Sequence, residues 1–190
     1  LVMHELSDAA LETAKAEGAA ILRVDETAQA FTALARGWRG HLQGKVIALT
    51  GSMGKTTTKN LVRDVLSTTF NTVATKANQN NELGVPRTLL EANADTELVV
   101  VEMGMRGLGQ LEELCSFVKP DISLITNVGE CHMELLGSKE NIARAKAEVL
   151  DALTEGSGIA VLNAADGYCA KQREWAKLDE RNIDTLFYDG

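Results

Sequence analysis

The sequence predicts an α/β fold: an open, mostly parallel sheet with helices on both faces, built as a P-loop-type mononucleotide-binding domain. Three observations carry this prediction. Short apolar runs rich in β-branched residues alternate with helical patterns from Lys45 onward. Most of these runs lack in/out alternation, as strands buried on both faces of a parallel sheet do. One run, Val46–Thr50, leads into a glycine-containing turn that opens a helix.

The strands are expected at Val46–Thr50, Thr72–Thr75, Leu98–Glu102, Ile122–Thr126, Ile159–Asn163 and Ile183–Phe187. Between them, Leu61, Val62, Val65 and Leu66 form one helical stripe, and Leu111, Leu114 and Val118 a second. Ile142, Ala145, Val149 and Leu153 form a third, each at roughly the 3.6-residue period. The region before Lys45 differs. A helix over Leu6–Ala16, a short run Ala19–Val24, and a helix capped by Asp25 and ending near Trp38 make a separate piece. Arg36-Gly-Trp-Arg-Gly40 reads as a hinge or linker. The domain expectation is therefore a separate piece over residues 1–44 and an α/β domain over 45–190. The first residues, Leu-Val-Met-His-Glu, resemble neither a signal peptide nor a natural start, so the chain ends are expected to be cut points.

Composition narrows the function classes. With 190 residues and 45% hydrophobic content a sizeable core is available, but only 4% are aromatic, so Ala, Val, Leu and Ile must fill it. Asp and Glu total 27 against 19 Lys and Arg, a net charge of -8. That balance argues against nucleic acid, which is bound through basic patches; phosphate must instead be held by local geometry and metal. Three cysteines without C-x-x-C spacing read as reduced thiols in a cytoplasmic protein. No apolar run reaches the roughly 18 residues of a membrane span.

The strongest local signal is Thr50-Gly51-Ser52-Met53-Gly54-Lys55-Thr56-Thr57. Gly51 and Gly54 let backbone N–H groups turn inward around phosphate oxygens, and the helix N-terminus adds partial positive charge. Lys55 is placed to reach the β and γ phosphates, and the Thr56 hydroxyl to hold Mg²⁺. Leu49 occupies the first glycine position of the longer G-x-x-x-x-G-K-T pattern, so this is a shorter variant of the loop. Glu102 ends a buried strand, where open α/β sheets bind ligands, and Mg²⁺ needs a second hard oxygen besides a threonine hydroxyl. His132 follows the Ile122–Thr126 strand; taken alone a structural histidine is the better reading, and its loop position opposite the phosphate loop reverses that preference. Lys146 alone reads as a solvated helix lysine. A cation beside Mg²⁺ and triphosphate is repelled unless it neutralises phosphate or is itself converted to an anion, as carbamylation by CO₂ would do. In Asn78-Gln-Asn80-Asn81-Glu-Leu-Gly84-Val-Pro86 the asparagines serve either a substrate or a turn, and their chemistry favours neither.

Together with Glu102-Met-Gly104, Thr126-Asn-Val128, His132-Met-Glu-Leu-Leu-Gly-Ser138 and Ala145-Lys-Ala-Glu148, these motifs resemble the Mur ligase family from about Val24 to Asp189. The phosphate loop alone is similar to every Mur ligase and to the folylpolyglutamate synthetases. The Asn-Asn-x-x-Gly-Val-Pro and Glu-Met-Gly motifs point to the branch that adds D-Ala-D-Ala to a UDP-MurNAc-tripeptide in peptidoglycan precursor synthesis.

The resemblance implies ATP and two Mg²⁺ ions. Gly51–Thr57 and Lys55 form the phosphate cradle, Thr56 and Glu102 hold one ion, and His132 with a carbamylated Lys146 hold the second. Lys55, Lys146 and His132 are the implied catalytic residues, and Asn80 and Asn81 the implied substrate contacts. It further implies phosphorylation of the substrate carboxylate and attack of the D-Ala-D-Ala amine on the acyl phosphate, by a monomeric cytoplasmic enzyme. The resemblance implies that residues 1–44 are the tail of an N-terminal substrate domain with its linker and 45–190 a central ATP-binding domain that stops short. Lacking the family's C-terminal domain, the chain alone is expected to be inactive. The Asn163-Ala-Ala-Asp166 stretch departs from the family's Asn-Ala-Asp-Asp and is assigned no role. Rival readings are another Mur-type or polyglutamate ligase, a P-loop switch or transport ATPase, and a nucleotide-binding module without ligase activity. The switch or transporter normally supplies an aspartate to the metal, where this chain has Glu102.

Overall fold

A computed structural model of the chain describes residues 2–3, 7–131 and 133–189. Two short parallel strands, β1 (Val2–Met3) and β2 (Leu22–Arg23), bracket helix α1 (Asp8–Ala16), and α2 (Thr27–Arg39) follows. The rest is a repeating strand–helix chain. It comprises β3 (Lys45–Thr50), α3 (Lys55–Leu66), β4 (Thr72–Ala74), α4 (Gly84–Glu91), β5 (Leu98–Glu102), α5 (Gln110–Val118) and β6 (Ile122–Ile125). These are followed by α6 (Met133–Leu136), α7 (Lys139–Asp151), β7 (Ile159–Asn163), α8 (Cys169–Trp175) and β8 (Asp184–Tyr188).

The six later strands form one sheet in the order β4-β5-β3-β6-β7-β8, every neighbouring pair parallel. The predicted fold is the observed one. Each predicted strand lies within a residue of its observed bounds, because β-branched residues pack well on a pleated, buried surface. β3 and β5 are buried almost throughout, as their unbroken apolar runs require. From β3 the chain moves outward one way through β5 and β4, then returns to build β6, β7 and β8 on the other side. The loop after β3 therefore opens between the exits of β5 and β6, the crevice in which such sheets bind ligands.

Two of the predicted stripes are buried as expected: Leu111, Leu114 and Val118 on α5, and Ile142, Ala145, Val149 and Leu153 around α7. The stripe on α3 is not. Leu61 and Val65 are 61% and 68% exposed, and the buried residue of α3 is Lys59. A polar partner waiting beneath the helix, described below, outweighs the apolar periodicity.

The Arg36–Gly40 stretch is not a hinge. Gly37–Arg39 is the last turn of α2, tied to the sheet domain. Trp38 Nε1 donates to Ala92 O at 2.8 Å, and Arg39 donates to the Val118 and Lys119 carbonyls and to Asp121. Asp121 also accepts from Lys45 and from the Val46 N–H, so one carboxylate joins α2 to the start of β3. The cap of α2 is Glu26, not Asp25, and it makes no side-chain capping bond. Among the described residues no helix is long and apolar enough to cross a membrane.

Candidate functional site

β3 ends inside the sheet at Thr50, fully buried, whose hydroxyl donates to Met103 O at 3.0 Å. The chain then turns through Gly51–Gly54 and enters α3 at Lys55. Both glycines are needed. A side-chain carbon on Gly51 would overlap Thr126 Oγ1, and Gly54 has φ +76°, where side chains are strained. The exit of β6 clamps this loop. The Met53 N–H donates to Asn127 Oδ1 at 2.9 Å and Met53 O accepts from Thr126 Oγ1 at 2.8 Å. The Ser52 N–H donates to Asn127 O, and Ser52 Oγ accepts from the Gly129 N–H. Ser52 and Met53 thus have their polar groups committed to shaping the loop, while Gly54 and α3 present a helix N-terminus to the crevice.

Lys55 folds over the loop, its Nζ donating to Gly51 O at 2.8 Å and more weakly to Ser52 O at 3.4 Å. Thr56, one residue on, donates to Glu102 Oε1 at 3.1 Å; Thr57 is exposed. Glu102 is buried, and the same Oε1 accepts from Asn80 Nδ2 at 2.8 Å. Three strand exits therefore converge on one carboxylate oxygen. Residues adjacent in this site are 46 and 22 positions apart in the chain.

The two asparagines separate in role. Asn80 lies on Glu102, whereas Asn81 Oδ1 accepts from the Leu83 and Gly84 N–H groups and starts α4. Both line a cavity of about 540 Å³ together with Gly51, Lys55, Arg106 and Lys146. Lys146 comes from α7 and is 2% exposed, so it is not the solvated helix lysine its flanking charges suggest. Burial is the main cause that lowers its pKa to about 8; Cys131 opposes the shift and Lys55 adds to it. Among the described residues it has no hydrogen bond or ion pair. His132 lies outside the described residues.

Behind these groups are residues the sequence did not single out. Lys59, one turn after Thr56 and 1% exposed, donates to Thr75 O at 2.7 Å and Ala77 O at 2.8 Å and lies 4.0 Å from Glu102 Oε2. Burial pushes its ammonium below the usual range, Glu102 pulls it back, and Arg63 adds to the lowering. Its three-residue spacing from Thr56, which puts both on one helix face, was the available signal. Asp166 accepts from the Val128 N–H at 2.7 Å, and Asn163 Nδ2 donates to Thr126 O at 3.0 Å. The stretch assigned no role thus holds the β6 exit that clamps the phosphate loop. Glu148 accepts from the N–H groups of Gly109, Leu111 and Glu112 and caps α5. Burial raises its pKa against the pull of those three bonds.

The donor set suits phosphate and Mg²⁺. A hydroxyl and a carboxylate 3.1 Å apart offer hard oxygens at the end of a phosphate loop, and Mg²⁺ is usually held by one or two carboxylates plus substrate phosphates. Among the described residues no group of three or more His, Cys, Asp or Glu side chains gathers as a metal cage.

Known proteins resemble this chain in sequence and in fold. The profile of the Mur ligase middle domain matches residues 49–189. The UDP-N-acetylmuramoyl-tripeptide–D-alanyl-D-alanine ligase of Synechocystis is 51% identical over 127 residues, covering 67% of this chain and 28% of that protein. The chain thus spans under a third of that relative. MurF from Acinetobacter baumannii superposes with a TM-score of 0.81 at 33% identity, over 98% of this chain and 38% of its own. A MurF ligase from Thermotoga maritima in complex with ADP superposes with a TM-score of 0.75 at 31% identity, over 89% of this chain and 38% of its own. With the middle-domain match running from the end of β3 to the last strand, the chain belongs to the Mur ligase family.

Proposed function

We propose that the protein carrying this segment is an ATP-dependent amide-bond ligase that adds D-Ala-D-Ala to a UDP-MurNAc-tripeptide. The observation that carries the reading is the meeting of Thr56, Glu102 and Asn80 beside Lys55 at one strand-end crevice. The identity to the Synechocystis ligase supports the choice of substrates, and the ADP complex of the Thermotoga protein supports ATP.

The residues divide the work as follows. In the Gly51–Thr57 cradle, Ser52 and Met53 would shape the loop, the α3 N-terminus from Gly54 to Thr57 would face the phosphates, and Lys55 would reach the β and γ oxygens. Thr56 and Glu102 would hold one Mg²⁺, and His132 with Lys146, as its carbamate, would hold a second. When bound, Mg²⁺ neutralises charge on the transferring phosphoryl group. Asn80 orients Glu102 and, with Asn81, faces the substrate cavity. The peptide carboxylate is activated as an acyl phosphate, and the D-Ala-D-Ala amine displaces phosphate to form the amide. Within residues 1–44 the part before α2 belongs on this reading to the tail of a substrate domain and α2 is the link packed on the sheet domain, and the enzyme works as a cytoplasmic monomer.

The test is the full-length enzyme with ATP, Mg²⁺, UDP-MurNAc-tripeptide and D-Ala-D-Ala. Phosphate release should require both acceptor and amine, and Lys55→Ala should weaken ATP binding by roughly 10–100-fold through loss of a charge-assisted bond. Among the described residues its partners in the fold are two loop carbonyls, so the melting temperature should barely move. Phosphate release independent of both peptide substrates, or amide formation with a folate and glutamate instead, would overturn the reading.

A further inference from the structure

We propose that Lys59 is a positioning residue that fixes the metal-site carboxylate Glu102 and the Asn80 loop in one arrangement. The inference rests on the reading that Thr56 and Glu102 hold Mg²⁺.

The sequence of α3 would bury Leu61 and Val65; the fold instead turns them to solvent and buries a lysine. Burying an ammonium is costly unless it is paired and its donors are used, so the arrangement has to be explained by what Lys59 meets. Two of its three N–H bonds go to Thr75 O and Ala77 O, where the chain leaves β4. Its remaining neighbour is Glu102 Oε2 at 4.0 Å, and that oxygen is the one buried side-chain polar atom without a hydrogen-bond partner among the described residues.

The two carboxylate oxygens therefore have different duties. Oε1 faces the site, shared by Thr56 and Asn80. Oε2 faces inward, with only the Lys59 charge to hold it. The ammonium opposes a swing of the whole carboxylate toward the site, because one oxygen is held inward beside a fixed cation while the other stays on Thr56 and Asn80. The same ammonium anchors Ala77, three residues before Asn80, whose carbonyl also accepts from the Gly104 N–H just after Glu102. One buried side chain thus ties the exits of β4 and β5 to α3. Lys59 is 1% exposed and two of its N–H groups are taken by backbone carbonyls, so it acts through Glu102 and not on a substrate.

The test is calorimetric binding of the ATP analogue AMPPCP to the full-length enzyme with and without Mg²⁺. Glu102→Gln should abolish the gain in affinity that Mg²⁺ gives. Lys59→Met should keep the Mg²⁺-free affinity, which the phosphate loop supplies, and lose about 10- to 100-fold of the gain, the usual cost of removing a ligand's supporting partner. Lys59→Arg, which keeps the charge, should recover part of it. The double variant Lys59→Met, Glu102→Gln should melt higher than Lys59→Met alone, since the buried carboxylate left without its cation is gone. If Glu102→Gln loses the Mg²⁺ gain and Lys59→Met retains it in full, the positioning role fails while the metal reading stands. If Glu102→Gln retains the gain, the metal reading fails and takes this proposal with it. A double variant no more stable than Lys59→Met also overturns the proposal, and this can be read even where Lys59→Met is too unstable to titrate.

Discussion

Lys146 sits among neighbours that leave it few options. It is buried, it has no hydrogen bond among the described residues, and it shares a cavity with Lys55. With its pKa lowered to about 8, chiefly by burial, a much larger fraction of the amine is neutral near neutral pH than for an exposed lysine. A neutral amine is the form that captures CO₂, and the resulting carbamate offers Mg²⁺ the oxygen ligand it prefers. In the full-length enzyme Lys146→Ala should therefore reduce activity by at least about 100-fold, the upper end of what losing a metal-site group costs. Added formate or acetate should restore part of it by supplying a carboxylate, and bicarbonate should not. Equal rescue by bicarbonate, or none by any small carboxylate, counts against the carbamate; so does density for a bare ammonium paired with phosphate in the metal-bound enzyme.

Among the elements, α5 and α7 are joined by a carboxylate rather than by apolar contact alone. Glu148 on α7 accepts from three N–H groups at the start of α5, a helix whose cap residue, Gly109, has no side chain to offer. Unsatisfied N–H groups at a helix start are costly when shielded from water. Glu148→Ala should cost about 1–2 kcal/mol in urea unfolding, the usual loss for a helix cap. It should leave nucleotide affinity nearly unchanged, because α5 does not form the phosphate loop. A loss of nucleotide binding with unchanged stability would mean that Glu148 serves the site directly. The sequence placed Glu148 in the Ala145–Glu148 motif without distinguishing these roles, since neighbours on a helix can face different elements.

For the molecule as a whole, the segment before β3 is part of the packed domain at least from α2 onward. Ala35 is fully buried, and Trp38 and Arg39 bind carbonyls that end α4 and α5. A chain beginning at Lys45 should lose on the order of 2 kcal/mol or more from burial alone, lowering its melting midpoint by roughly 4–8 °C relative to the 190-residue chain. Equal midpoints would show that α2 is only resting on the sheet. The acidic balance of the chain, -8 overall, has a further consequence at this scale. On the proposed reading, attraction of the triphosphate must come at short range from Lys55, Arg106, the α3 N-terminus and Mg²⁺, because the net field opposes an anion.

Periodicity and motif chemistry in the sequence determined the parallel α/β class, the six strand positions, and the phosphate loop with its lysine and threonine. Those features depend on residues close together in the chain: an apolar run, a turn, a helix start. The sheet order was not of that kind. β3 lies between β5 and β6 only in three dimensions, and this placement brings Glu102 to Thr56 and Asn127 to the phosphate loop. The roles of Lys59, Asn163 and Asp166 were likewise decided by tertiary structure. Each binds backbone or carboxylate far along the chain, and a charged residue in an apolar stripe looks solvated until its partners are in place. The division between Asn80 and Asn81 is the finest case. The two residues have the same chemistry at adjacent positions, and only the backbone direction at the start of α4 sends one amide to Glu102 and leaves the other capping the helix.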